Sequence, residues 1–325
     1  MRQTSLDMVY ELAKRDPRVV FIGSDLGPDT LKQLKAELPN QFLMEGVSEA
    51  NIVTMAAGLA MEGKIPYINT IATFLTRRCF EQIVLDLGLH NTKVRLIASG
   101  GGVVYAPLGP THLAIDDIAI LRAVPNMTIL APADADEMRR LMLQTLEVNG
   151  PVYIRLGKGG DPIVSRADLP CEIGKGILMR EGADALIVCT GICLQVALNA
   201  AEQLSKEGIS VTVLHIHTLK PLDSATIVQH AARVPIIVTI EEHTLVGGLG
   251  SAVAEIIVET SFSSPKRFKR IGIPDVFPDQ YGSQASLMQR YNITAEHLFE
   301  VVRKLLEPQP KDRHEQTDEL CHSAA

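Results

Sequence analysis

The chain has 325 residues, with 31 Lys and Arg against 38 Asp and Glu, a net charge of −7. That balance leaves no polybasic footprint, which argues against nucleic acid or an anionic membrane as the main partner. No apolar run approaches the ~18 residues of a spanning helix, and the length predicts two folded units, since domains usually run ~100–200 residues.

The opening Met1-Arg2-Gln3-Thr4-Ser5-Leu6-Asp7 lacks the apolar core of a signal peptide. Short apolar β-rich runs then alternate with longer helical patterns, the signature of a mostly parallel sheet covered by helices. Strands are predicted at Val19–Gly23, Ile65–Thr70, Val94–Ser99, Thr128–Ala131 and Val152–Leu156. Helices are predicted at Ser48–Glu62, Phe74–Leu89, Asp116–Val124 and Asp134–Val148. From Gly157 to Ile173 the chain carries Gly, Pro and Asp without period, which predicts a connection, placed at 161–175. A second series follows, with strands at Ala185–Cys189, Val211–His215 and Ile236–Glu241 and helices at Leu194–Glu207, Ser224–Ala232 and Ser251–Glu259. The reading is therefore two doubly wound α/β domains, 1–160 and 176–306. The polar tail 307–325 has the composition of a disordered segment. Cys79, Cys171, Cys189, Cys193 and Cys321 form an odd set without a Cys-x-x-Cys pair, which predicts reduced thiols and a cytoplasmic setting.

Four segments hold chemically interesting residues. In Glu45-Gly46-Val47-Ser48-Glu49-Ala50-Asn51 an acid stands at the mouth of an unusually apolar helix. Ser48 is a candidate cap, and Glu49 either complements the helix dipole or serves a site. Thr70 to Ile83 starts at the C-terminal end of a strand, where open α/β sheets bind ligands. There Phe74, Arg77 and Phe80 offer stacking and charge, or make up an ordinary amphipathic helix. Gly100-Gly101-Gly102, followed by Gly109-Pro110-Thr111-His112, lets backbone approach a ligand closely, but no helix follows at once, so it is not a dinucleotide fingerprint. Glu241-Glu242-His243 invites a metal reading. Neighbours on one strand point to opposite faces, so the three cannot hold one ion.

In this order and spacing the segments resemble the C-terminal half of transketolases from about Arg2 to Leu306. The carriers are Gly46-Val47-Ser48-Glu49, Ala56-Ala57-Gly58-Leu59-Ala60, Thr73-Phe74-Leu75, Gly109-Pro110-Thr111-His112, Leu121-Arg122-Ala123-Val124-Pro125-Asn126 and Pro132-Ala133-Asp134. Further on they are Leu219-Lys220-Pro221-Leu222-Asp223, Glu241-Glu242-His243 and Gly247-Gly248-Leu249-Gly250-Ser251. The resemblance implies a thiamine diphosphate pyrimidine-binding domain and a C-terminal α/β domain. Glu49 then matches the acid that bonds N1′ of the aminopyrimidine, so that the exocyclic N4′ can take the thiazolium C2 proton. Phe74 matches the aromatic pocket around that ring. Arg77 stands where full-length transketolases carry a second aromatic, as in deoxyxylulose-phosphate synthases, and Phe80 completes the apolar wall. Asp25 matches an acid near the cofactor at the subunit contact. His112 matches the donor to substrate hydroxyls, and Arg155 and Arg2 match arginines at the substrate phosphate, which a guanidinium pairs bidentately.

One motif of that family is missing. Gly-Asp-Gly, followed about thirty residues later by Asn, carries Mg²⁺ and the diphosphate there, and no Gly-Asp-Gly occurs in this sequence. The expectation is a split transketolase with no metal ligands in this chain. An N-terminal subunit would supply the diphosphate domain and Mg²⁺, most simply as α2β2. Leu108 and Leu113 replace the Asp and Gln usual around Gly-Pro-Thr-His. An apolar Leu108 leaves a hydroxyl unpaired, so a deoxy, branched or otherwise modified sugar phosphate is expected in place of the usual pentose phosphates. The competing readings are a deoxyxylulose-phosphate-type synthase, the β subunit of a 2-oxo-acid dehydrogenase, and a non-catalytic paralogue.

Overall fold

The computed structural model describes residues 1–24, 31–157 and 159–307. Asp25 and the tail beyond Glu307 lie outside them. Twelve described strands form two α/β sheets: β1 (Val19–Gly23), β2 (Phe42–Met44), β3 (Ile65–Ile71), β4 (Arg95–Ser99), β5 (Thr128–Leu130), β6 (Val152–Leu156), β7 (Ile177–Arg180), β8 (Ala185–Cys189), β9 (Val211–His215), β10 (Thr218–Lys220), β11 (Ile236–Thr244) and β12 (Arg267–Ile273). The first sheet runs β10-β5-β6-β4-β3-β1-β2 and the second β12-β11-β8-β9-β7. All pairings are parallel except β10 on β5 and β7 on β9.

β1, β4 and β6 are buried along their whole length, as expected of parallel strands covered on both faces. Alternate residues therefore feed different cores. Val19 and Phe21 pack with the N-terminal helix Arg2–Arg15, while Val20 and Ile22 face the helix Glu49–Met61. The latter core runs on into Leu186, Val188 and Leu214 of the second sheet, so the two halves share one apolar layer.

β10 strengthens that union. It follows β9 of the second sheet yet completes the edge of the first, where Lys220 Nζ donates to the carbonyls of Arg122 (2.8 Å) and Val124 (2.5 Å). Those orphan carbonyls end the helix Asp117–Arg122, a usual place for a lysine.

The predicted helix Phe74–Leu89 is broken into Ala72–Thr76, Phe80–Gln82 and a wide helical turn, Ile83–Leu89. The break falls at Arg77, Arg78 and Cys79, where two adjacent guanidiniums are drawn to different carboxylates. The helices Arg2–Arg15, Lys32–Glu37, Gln284–Arg290 and Ala295–Leu306, the short strands β2, β7 and β10, and the longer β12 have no counterpart among the predicted elements. Residues 161–175 carry neither helix nor strand. Asp134 anchors their start, accepting from Val164 N, Ser165 N and Ser165 Oγ while also capping the helix Ala135–Gln144 through Asp136 N and Glu137 N.

Candidate functional site

In the first sheet the chain leaves β1 for β2 on one side and returns to β3 on the other, so the order reverses between β1 and β3. Crevices beyond the carboxyl ends of strands at such a point are the usual ligand sites of open α/β sheets. Here lies a recess of about 190 Å³, lined by Ser24 after β1, Asn69, Thr70 and Ile71 of β3, and Ser99 of β4, with Arg2, Val47, Glu49, Phe74 and Tyr105 around them.

Glu49 opens the helix Glu49–Met61 and is 3% exposed. Ser48 holds the N-cap position, but its hydroxyl points back to the Glu45 carbonyl at 3.4 Å and caps nothing. Glu49 Oε2 accepts from Arg78 Nη1 at 2.7 Å. The Arg78 guanidinium lies over the Phe74 ring with its carbon 4.4 Å from the centroid, a cation–π distance. His112 meets the same ring edge-on, 5.0 Å between centroids and 63° between planes. A carboxylate, a guanidinium, an aromatic face and an imidazole thus form one continuous chain of contacts.

The structure brings Arg2, Glu49 and Phe74 into this recess, with His112 against Phe74, and leaves Arg77, Phe80 and Arg155 out of its lining. Arg77 pairs through Nε and Nη2 with Asp116 (2.8–3.0 Å) and donates to the Leu113 carbonyl. Arg78, the neighbour that sequence reasoning passed over, is the arginine that contacts Glu49 and Phe74. Phe80 is half-buried against the core that Ile52 and Leu75 help to form and does not line the recess. Asp25 lies outside the described residues.

Arg155 also departs from expectation. It is 7% exposed, and its Nε donates to Asp117 Oδ2 at 2.8 Å while Nη2 serves the carbonyls of Ala114 and Glu242. Burial drives the Asp117 carboxyl upward, but the charges of Arg155 and His243 and the bonds from Arg155 and Tyr153 outweigh it and hold the acid below its ordinary value. This pair sits beside a second, smaller recess lined by Gly101, Gly157, Gly191 and Glu242. A charged residue in a wholly buried strand needs a buried partner, and the second acid of Asp116-Asp117 supplies it.

The glycine run lets the loop thread between these groups. A Cβ on Gly100 would fall 2.1 Å from the Tyr105 ring, one on Gly101 2.6 Å from Arg155 Cγ, and one on Gly102 2.4 Å from the Glu242 carboxyl carbon. Glu242 Oε1 accepts from Val103 N (2.8 Å) and Gln284 Nε2 (3.0 Å). Burial carries its pKa from 4.5 up to about 7, against the charge of Arg155 and those hydrogen bonds. Its neighbours face elsewhere, as strand alternation requires. Glu241 accepts from Leu249 N and Gly250 N at the start of the helix Leu249–Glu259, and His243 donates from Nδ1 to the Thr244 carbonyl. Tyr105, Asn69 and Ser99 escaped the sequence reading, although their places at strand ends or after a glycine run are the signal for such residues.

Residues 1–160 match the family model of the transketolase pyrimidine-binding domain, and residues 174–298 that of the transketolase C-terminal domain. The chain belongs to the transketolase family. It is 34% identical over 308 residues to the 6-deoxy-6-sulfo-D-fructose transketolase subunit SqwH of Clostridium sp. (strain MSTE9), covering 94% of each chain. It is 39% identical over 292 residues to the 1-deoxy-D-xylulose-5-phosphate synthase of Trichormus variabilis, a match that takes 87% of this chain and 45% of that enzyme. A solved structure described as a split gene transketolase, inactive beta4 tetramer, is similar with a TM-score of 0.84 at 36% identity, covering 94% of this chain and 97% of that one. No described helix is long and apolar enough to cross a membrane.

Proposed function

We propose that this chain is the pyrimidine-binding and C-terminal subunit of a split, thiamine diphosphate-dependent transketolase that moves a two-carbon ketol unit between sugar phosphates. The observation that carries the reading is the buried Glu49 carboxylate beside the Phe74 face in a recess at the β1–β3 switch point. An aminopyrimidine asks for such a pairing: an acid at one ring nitrogen and an apolar wall along the ring. The cofactor supplies an electron sink after C–C cleavage. Glu49 would hold the proton at N1′ and Phe74 would pack on the ring, with Arg78, bonded to Glu49 and lying over Phe74, orienting both side chains. His112 reaches substrate hydroxyls, and Arg2 offers a charged fork toward the substrate phosphate. Arg155, tied to Asp117, acts through the loop it supports.

A recess of about 190 Å³ is smaller than the ~300–1,000 Å³ of ordinary ligand pockets, which favours a site completed by another chain. Glu49 is the only carboxylate among the described lining residues, and it is already paired with Arg78. Mg²⁺ and the diphosphate are therefore assigned to a partner subunit bearing Gly-Asp-Gly and Asn, most simply in α2β2. The apolar Leu108 and the sulfonated deoxy sugar in the name of the SqwH relative make an anionic, modified ketose the first substrate to try.

The test is co-purification of the partner, then turnover by the reconstituted pair with Glu49→Gln beside the parent. Activity is expected to fall about 10²–10⁴-fold, the range for losing a positioned proton carrier. Undiminished activity would overturn the assignment and favour a non-catalytic role. Deoxyxylulose-phosphate-type synthesis is the second reading, favoured by the 39% identity above. Pyruvate dependence with CO₂ release would select it.

A further inference from the structure

Away from the recess, three segments of different origin converge on a buried cluster. Glu137 comes from the helix Ala135–Gln144 of the first half, Cys171 from the connection between the sheets, and His217 from the turn between β9 and β10. One carboxylate oxygen of Glu137, Cys171 Sγ and one His217 ring nitrogen all lie within 4.8 Å of one another. Cys171 Sγ and His217 Nε2 are 4.0 Å apart.

These groups are oriented but not satisfied. His217 Nδ1 is 2.9 Å from Thr218 Oγ1, a contact that leaves Nε2 toward the thiol. Glu137 is wholly buried. Its Oε2 accepts from Ala133 N (2.6 Å) and lies 2.9 Å from His215 Nε2, while Oε1 has no hydrogen-bond partner. A buried carboxylate oxygen left without a donor is costly, and a cation is one group that would satisfy it.

We infer that Glu137, Cys171 and His217 form a three-ligand site for a divalent transition-metal ion, with zinc the best match to a mixed sulfur, nitrogen and oxygen donor set. Bonds of ~2.3 Å to sulfur and ~2.0 Å to nitrogen at tetrahedral angles place the ligands about 3.5 Å apart, so ligand atoms now up to 4.8 Å apart must draw together by as much as about 1.3 Å. His215 becomes the outer partner that orients the carboxylate, as carboxylate–histidine contacts commonly do around zinc. Arg140 opposes the ion, its charge bearing on both Cys171 and His217. Two carbonyls, of Arg166 and Leu169, hold one end of that guanidinium. An ion here would clamp the first half, the connection and the second half together, a structural role separate from the proposed catalytic site.

The experiment uses the full chain and Zn²⁺ itself. Protein expressed with added zinc and dialysed against metal-free buffer is expected to retain stoichiometric zinc by plasma mass spectrometry. Adding Zn²⁺ to stripped protein should raise its Tm. Cobalt in place of zinc should show a thiolate charge-transfer band that is lost in Cys171→Ser. Cys171 is partly buried and the hydroxyl is a small change, so this variant is expected to fold, and its circular dichroism reports whether it does. Cys171→Ser and His217→Asn should each weaken zinc binding by at least about 10–100-fold, the range already seen on losing outer-sphere partners. Failure to retain zinc, or retention and affinity unaltered in both variants, would overturn the assignment.

Discussion

Glu242 offers a measurement whose sign and size both come from the structure. The side chain is 3% exposed, and burial lifts its carboxyl from 4.5 to about 7. An unfolded chain releases this proton near its ordinary value, whereas the folded chain keeps it to about neutrality. Between those values the unfolded state binds fewer protons than the folded one, so stability falls as pH rises. Below about pH 4.5 the burden is absent, and above about pH 7 it is complete. A rise of about 2.5 units at 1.36 kcal/mol per unit gives about 3 kcal/mol. Glu242→Gln retains an oxygen for Val103 N and Gln284 Nε2 but carries no charge. Parent and variant should therefore be equally stable near about pH 4, and the variant should gain by up to about 3 kcal/mol near about pH 8. Urea unfolding of both proteins across that range supplies the difference and cancels every other titrating group. A difference that does not change with pH, or a variant weaker at alkaline pH, would refute the reasoning.

Three further expectations concern neighbouring features. Arg78→Ala should raise the thiamine diphosphate concentration needed for half-maximal activity of the reconstituted pair about 3–30-fold, the equivalent of a partly desolvated cation–π contact, whereas Arg77→Ala should leave it unchanged; a cofactor titration of each decides. Gly101→Ala places a methyl 2.6 Å from Arg155 Cγ and should cost about 1–3 kcal/mol by overpacking, read as a fall in the urea midpoint, with a neutral result counting against the packed loop. Asp134→Ala leaves the buried start of the helix Ala135–Gln144 and the Val164–Ser165 turn without their acceptor. It should cost about 2 kcal/mol or more and speed limited proteolysis between residues 159 and 170.

The parallel sheets were legible because their strands are wholly buried and bounded by turn residues. Val19–Gly23, Val152–Leu156, Ala185–Cys189 and Val211–His215 stand where the pattern placed them. Glu49 and Phe74 could be paired only through the resemblance: Phe74 follows a predicted strand, whereas the strand before Glu49, β2, is too short to carry a readable pattern. The two arginines after Thr76 could not be told apart. Which one faces Glu49 depends on where the helix Ala72–Thr76 ends, and a boundary shift of one residue rotates a helical side chain by about 100°. β10 was invisible for a different reason. Its three residues carry no period, and its antiparallel place on β5 is set by packing of the second half against the first. The two acids of Asp116-Asp117 show the same limit: the first pairs on the surface with Arg77 and the second in the core with Arg155, a division that only the fold makes.

These contacts bear on what the second half contributes. The loop carrying Tyr105 into the recess begins with three glycines, and each makes room for a side chain of different origin: Tyr105 from the loop itself, Arg155 from β6 and Glu242 from β11. Glu242 then fixes the loop through Val103 N, while Arg155 ties β6 to the Glu242 carbonyl and, through Asp117, to the helix that Lys220 closes from β10. The wall of the recess is therefore set by charges that cross from one sheet to the other. A substitution at Glu242 or Arg155 reaches Tyr105 through a single loop and touches neither Glu49 nor Phe74. If the recess serves the aminopyrimidine, such variants should disturb the position of the Tyr105 wall while leaving the proton carrier in place, whereas changes at Glu49 should do the reverse.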